Sequence, residues 1–416
     1  MLQSFAIIFG ISALFSFVNS KWLKLPTTIG LMILSLVTVG LIYLLKPLFP
    51  DVFLFFCTLV LDADFEHLLF DVLLSFLLFA GAIHINISDL KKERWSVFLF
   101  ATLGTLISTA LVGSLIYGAS RLFGINLPFI YALLFGALIS PTDPIAVIAI
   151  LKNTTVSKSL QLKIEGESLF NDGIGVVVFS GLLLLLPMSG VDDAHLASEI
   201  GLLFVEEAIG GLVYGLALGY VGYLLIRNSC SNPQLTVIIS LAICMTGYSL
   251  ASIIHVSGPL AMVVAGLVIG NKLDINRKDA PESIHLLNEI WEVLDEVLNG
   301  VLFVLIGLAL HLLDFDTTTV IFGLLAVIIV LGSRFFSVFS MYSLLKHKGD
   351  MSPLSTVKVL TWGGLRGGIS IALALSLGKY EYGKQIIVIT YIVVLFSILI
   401  QGLSIGRLVK LIYKKQ

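Results

Sequence analysis

Charge is scarce in this sequence. Only 12% of its 416 residues are Asp, Glu, Lys or Arg, about half the share found in soluble domains. That excludes an ordinary chain of two or three water-soluble domains. Cysteine is scarcer: Cys57, Cys230 and Cys244 are dispersed, which excludes a disulfide framework or a cysteine-based metal site. No basic run exceeds the short cluster Lys91-Lys92-Glu93-Arg94, and the formal net charge is −2, so nucleic acid is not an expected partner. The N-terminus lacks a charged leader region and a small-residue cleavage site, so the first apolar run is expected to stay as a helix. No cofactor is expected.

What fills the sequence is apolar: 57% hydrophobic residues and a mean hydropathy of +1.03. The apolar runs recur at roughly the 20 residues that cross a hydrocarbon core. The expectation is an all-α integral membrane protein in one domain, with the lipid bilayer as its solvent. Thirteen membrane helices are predicted near 2–19, 26–44, 66–84, 96–117, 128–151, 164–188, 200–226, 235–254, 257–271, 294–312, 318–345, 354–378 and 385–411. Odd-numbered loops and the C-terminal tail carry 19 of the 25 basic residues. The other side has only Lys46, Arg121, Lys379 and Lys384, while Arg334 and Arg366 lie within apolar segments. By the positive-inside rule the N-terminus is outside and the C-terminus cytoplasmic, in an inner or plasma membrane.

Helices four to six and eleven to thirteen start at an offset of about 222 residues, and seven crossings separate them, so the two sets point in opposite directions. Inverted repeats of this kind underlie many secondary transporters. The middle helix of each set is also interrupted, by Ser140-Pro141-Thr142-Asp143-Pro144 and by Thr361-Trp362-Gly363-Gly364-Leu365-Arg366-Gly367-Gly368. Paired breaks point to a midplane binding site. Packing kinks are the alternative, but kinks do not require Asp143 and Arg366 inside them.

Charges at membrane depth cost about 2.5–3.5 kcal/mol each on insertion scales, yet the chain keeps Asp143, Glu167, Asp172, Arg334 and Arg366 there. Asp143 precedes Pro144, a pairing suited to restarting a helix with an aspartate cap. A purely structural cap is the competing reading. The unwound stretch frees carbonyls, Thr142 among them, that suit hard cations. On the next helix, Ser168 and Asp172 form one i,i+4 pair and Glu167 and Asn171 another. The first pair can face a cation together with Asp143, and the second a neighbouring partner. A carboxylate kept from water beside another carboxylate holds a proton more readily, so proton and cation would compete for Asp172. Alternate occupation of one site by either ion suffices for exchange.

These three stretches, Ser140 to Pro144, Gly166 to Asp172 and Gly363 to Gly367, resemble the monovalent cation/proton antiporters of the NhaP and NHE type, with the related NhaA-like fold. The resemblance spans nearly the whole chain. It implies a homodimer, with a mobile core from about 96–188 and 318–411 and a dimerisation scaffold from about 2–84 and 200–312. It makes Asp172 the carrier, Asp143 its companion, and Ser168 and Thr142 further ligands of a sodium ion. It pairs Glu167 with Arg334, leaving Arg366 to offset the helix ends at the second break or to share Glu167. Exchangers with Asn171-Asp172 in this place are generally electroneutral. The large regulatory tail of animal exchangers is not expected. Lithium and potassium are the other candidate cations, since sequence fixes neither cavity size nor ligand number.

Weaker signals remain. Glu289, Glu292 and Glu296 fall at i, i+3, i+7, with His285 on the same stripe and Asp295 beside it. They either line a cytoplasmic funnel or form the wet face of an interfacial helix. Asp71, Glu206 and Glu207 lie near outer helix ends, and the histidines are expected to be bystanders. Lys358 is expected to snorkel. A different class, an intramembrane aspartyl protease using Asp143 and Asp172, explains neither the paired breaks nor the missing Gly-x-Gly-Asp pattern.

Overall fold

The computed structural model describes residues 2–62, 73–151, 156–186, 193–275, 277, 280–310, 313, 316–345 and 353–413. Apart from one isolated antiparallel bridge, the described residues form helices and their connections. In chain order these are α1 (Leu2–Val18), α2 (Thr27–Leu45), α3 (Pro50–Asp62), α4 (Leu74–Ile83) and the short α5 (Ile87–Lys92). Next come α6 (Arg94–Leu122), α7 (Phe129–Ile139), α8 (Ile145–Leu151) and α9 (Lys158–Leu183). Then follow α10 (Asp193–Asn228), α11 (Pro233–Ile253), α12 (Gly258–Lys272) and α13 (Glu282–Ala309). The last are α14 (Thr317–Leu344), α15 (Pro353–Trp362), α16 (Gly368–Ser376) and α17 (Gly383–Ile412).

Local chemistry sets many of the starts. The Asn232, Ser257 and Asp316 side chains accept from Leu235, Leu260 and Thr319 N–H at 3.1, 3.3 and 3.0 Å, satisfying donors that a helix start leaves free. Pro233 begins α11 and Pro259 is the second residue of α12, positions where a missing N–H does no harm. Among the described residues, seven helices are long and apolar enough to cross a membrane on their own. Small residues let the others approach closely. A Cβ on Gly266 would come within 2.8 Å of the Phe79 carbonyl oxygen, and one on Gly270 would overlap that of Ile83, so α4 and α12 run backbone to backbone.

Two expectations need correction. Helix α3 was not among the thirteen predicted. It is described over Pro50–Asp62, and residues 63–72, which follow it, lie outside the described residues. Helix α13 begins at Glu282, well before the predicted 294, because its first three turns are helical but too polar to register as a membrane span. The opening residues of the predicted third helix, with Asp71 and His67, lie outside the described residues, as do His311 and His347.

Both predicted interruptions are breaks. Residues 140–144 separate α7 from α8, and residues 363–367 separate α15 from α16. The two extended stretches cross antiparallel, with the Asp143 N–H donating to the Leu365 carbonyl at 2.8 Å.

Candidate functional site

Each unwound stretch exposes backbone groups that membrane depth does not forgive, and the neighbouring side chains satisfy them. The Asp143 Oδ1 accepts the Ile145 N–H at 2.9 Å, capping α8. Its other oxygen faces Gly367, where any Cβ would collide with the carboxylate. At Thr142, the N–H donates to Asn171 Oδ1 at 3.3 Å and the hydroxyl accepts from Asn171 Nδ2 at 3.0 Å. The Ser168 hydroxyl donates to the Thr142 carbonyl. That carbonyl, expected to be free for a cation, is therefore already engaged.

Arg366 departs from both expected placements. Its Nη1 donates to the carbonyls of Ser140 and Pro141, at 2.5 and 2.9 Å. It thus covers the negative C-terminal end of α7, in the first break, rather than the helix ends of its own break. Its backbone N–H donates to the Ser397 hydroxyl at 2.8 Å. Arg334 is the arginine that meets Glu167, through an Nη1 to Oε1 ion pair in which both side chains are almost wholly buried. A second bond from Arg334 to the Leu360 carbonyl is long, at 3.4 Å.

The crossing forms the floor of a cavity of about 700 Å³. Helix α9 presents Glu165, Ser168 and Asp172 to it, a stripe at i, i+3, i+7, while Glu167 and Asn171 point away into protein. Asp143 and Thr142 complete the floor, and both aspartates are half-buried against the open space. Oxygen donors are thus concentrated at one depth, as a small hard cation requires.

Helix α13 lines one wall with Glu292, Asp295 and Asn299. Of the expected acidic stripe, Glu292 reaches the cavity, and Glu289 and Glu296 are exposed away from it. The triplet 292, 295, 299 is rotated by about 60° from 289, 292, 296 on a helix turning 100° per residue. Asn299 holds Asp295 in place, its Nδ2 donating to Oδ1 at 3.0 Å and to the main-chain oxygen at 2.9 Å. His84, expected to be a bystander, also lines the cavity, with Nδ1 at 3.1 Å from Asn288 Oδ1. Sequence reasoning missed Glu165 and Asn299. The signal for Glu165 was its spacing from Ser168 and Asp172.

The family model described as "Sodium/hydrogen exchanger, transmembrane" matches residues 9–411. This chain belongs to that family. It is 43% identical over 420 residues to the Na(+)/H(+) antiporter NhaP of Pseudomonas aeruginosa, covering all of this chain and 98% of that one. It is 33% identical to the antiporter NhaH of Halobacillus dabanensis, covering 94% and 93%. In fold it resembles the sodium proton antiporter MjNhaP1 of Methanocaldococcus jannaschii, with a TM-score of 0.76 and 21% identity across 99% and 98% of the two chains. The exchanger is therefore a multi-pass membrane transporter and not an enzyme, which removes the protease reading.

Proposed function

We propose that this exchanger trades a sodium ion for a proton at Asp172, with Asp143, Ser168 and Thr142 completing the ion's oxygen shell. The observation that carries the reading is the cavity floor itself. Two half-buried carboxylates and two hydroxyl-bearing residues meet at the crossing of two broken helices, where the peptide groups are already spoken for. Among the described residues Asp172 has no backbone bond to hold it as a cap, unlike Asp143, so it is the freer of the two to change partners. Glu167, Arg334, Asn171 and Arg366 are buried supports rather than ligands.

The cavity runs from the floor toward Ile85, Ala149, Glu165 and Glu292, the end of the molecule that carries the basic loops. By charge asymmetry that end is cytoplasmic, so the conformation is open inward, in an inner or plasma membrane. Alternating access would move α6–α9 and α14–α17 as a core against α1–α4 and α10–α13 as a scaffold and homodimer base. Packing supports the division: α6 with α7 and α14 with α17 on one side, α4 and α10 with α12 on the other. One carboxylate serving one ion at a time gives electroneutral one-for-one exchange.

Lithium shares the chemistry, and potassium exchange on the same fold is the second reading. A screen of sodium, lithium and potassium in proteoliposomes, with membrane potential clamped and free, separates these. Sodium-driven dissipation of a pH gradient, unchanged by the clamp, is expected. Potassium preference or sensitivity to the clamp would replace the ion or the stoichiometry.

A further inference from the structure

The segment joining α4 to α6 has two allegiances. Its first half is tied to α12 and α13. Asn271 Nδ2 donates to the Ile85 carbonyl at 2.7 Å and to Leu267 of its own helix at 2.8 Å, while its Oδ1 accepts the Ile87 N–H at 2.6 Å. His84 meets Asn288 of α13. With α4 already backbone to backbone against α12, residues 74–87 have no freedom to leave it.

The second half is tied to α9. Asp89 accepts from Lys158, the first residue of α9, and from Lys92 at 2.8 Å. Glu93 pairs with Lys163 at 3.4 Å and accepts from Ser159. Beside these ion pairs, Leu90 and Val97 close over Gly166, where a Cβ would come within 2.8 Å of each side chain. The packing lies directly beside Glu167 and two residues before Ser168. Between the two halves stands Asn86, whose extended backbone and side chain start α5, accepting from Ser88 and Asp89 N–H at 2.8 and 3.3 Å.

We propose that residues 84–93 are the cytoplasmic hinge of the exchanger. Asn271 anchors its fixed end, Asn86 is the pivot, and Asp89 and Glu93 hitch α5 to the carrier helix so that the two travel as one body. Asp89, Glu93 and Asn271 are then positioning residues, acting on Asp172 through α9. The inference rests on the core and scaffold division proposed above, and its test separates the two.

The test uses the full chain with Cys57, Cys230 and Cys244 replaced by alanine, reconstituted in liposomes. The pair D89C/K158C, bridged by a short bismaleimide, keeps at least half of its unbridged sodium/proton exchange, because the bridged residues never part. The pair I29C/G402C joins α2 to α17 across the core and scaffold boundary, where a Cβ on Gly402 would lie 2.9 Å from Ile29 Cδ1 and 3.6 Å from its Cγ1. Its disulfide stops exchange, and reduction restores it. If bridging D89C/K158C arrests exchange while the boundary lock behaves as expected, α5 belongs to the scaffold and the hinge assignment is wrong. If the boundary lock leaves exchange intact, the division falls and the hinge falls with it. As a second measurement, E93K lowers the maximal rate several-fold with the half-saturating sodium concentration unchanged, and the swap E93K/K163E recovers it. A swap no better than E93K alone, or a shifted half-saturation with an unchanged maximal rate, contradicts the hitch.

Discussion

Glu167 and Arg334 give the sharpest energetic prediction. Their side chains are 2% and 6% exposed, so each neutralises a charge that water cannot reach. Removing one partner from such a pair costs about 3–5 kcal/mol, because the other is left buried and unpaired. The remaining bond from Arg334 to Leu360, at 3.4 Å, is too long to compensate. Glu167→Leu and Arg334→Met should each therefore destabilise by about 3–5 kcal/mol. Removing both charges together should not add these costs, since apolar replacement of a whole buried pair is often near neutral. The double variant is expected within about 2 kcal/mol of wild type, a coupling far larger than the few tenths seen between independent sites. Equilibrium unfolding of the purified protein by SDS in mixed micelles measures all four corners of the cycle. A double variant that loses the sum of the two single losses would refute the reasoning.

Three further outcomes follow from the same geometry. Gly367→Ala places a methyl group against the Asp143 carboxylate, so exchange should fall at least tenfold while detergent-solubilised protein still folds, as seen by size-exclusion chromatography. Arg366→Met uncovers the Ser140 and Pro141 carbonyls and leaves two buried acceptors unpaired, at about 1–3 kcal/mol each; loss of thermal stability checks it, and an unchanged melting point would contradict it. Outside the membrane, hydrogen bonds from Lys158 and then Lys92 hold the Asp89 carboxyl down to about 2. A depressed carboxylate stabilises the fold above its unfolded value and loses that contribution as pH falls through the folded one. The stability difference between wild type and Asp89→Asn should thus be constant from pH 8 to about 4 and vanish toward pH 2.

Much of this was readable from sequence, for a physical reason. Ionisable residues at membrane depth are costly enough to stand out, so Asp143, Glu167, Asp172, Arg334 and Arg366 could be picked by type and position alone. Proline and glycine marked both breaks, because they interrupt helices through backbone chemistry that is written in the residue. The partners were harder. Arg366 reaches across to the other broken helix, and the bond between Asp143 and Leu365 is a tertiary contact that neither stretch signals by itself. Hydropathy missed the polar first turns of α13, since it detects apolar length rather than helix. The register of the acidic face on α13 was set by packing, which chose Glu292, Asp295 and Asn299 over a stripe that looked equally regular.

The central claim is that a sodium ion and a proton exclude each other at Asp172. Calorimetric titration of the purified protein with sodium, repeated in buffers of differing ionisation enthalpy, counts the protons released per ion bound. One proton per sodium is expected for wild type at a pH where the site is protonated, and none for Asp172→Asn. An Asp172→Asn protein that still binds sodium and releases a proton would show that the exchange site lies elsewhere.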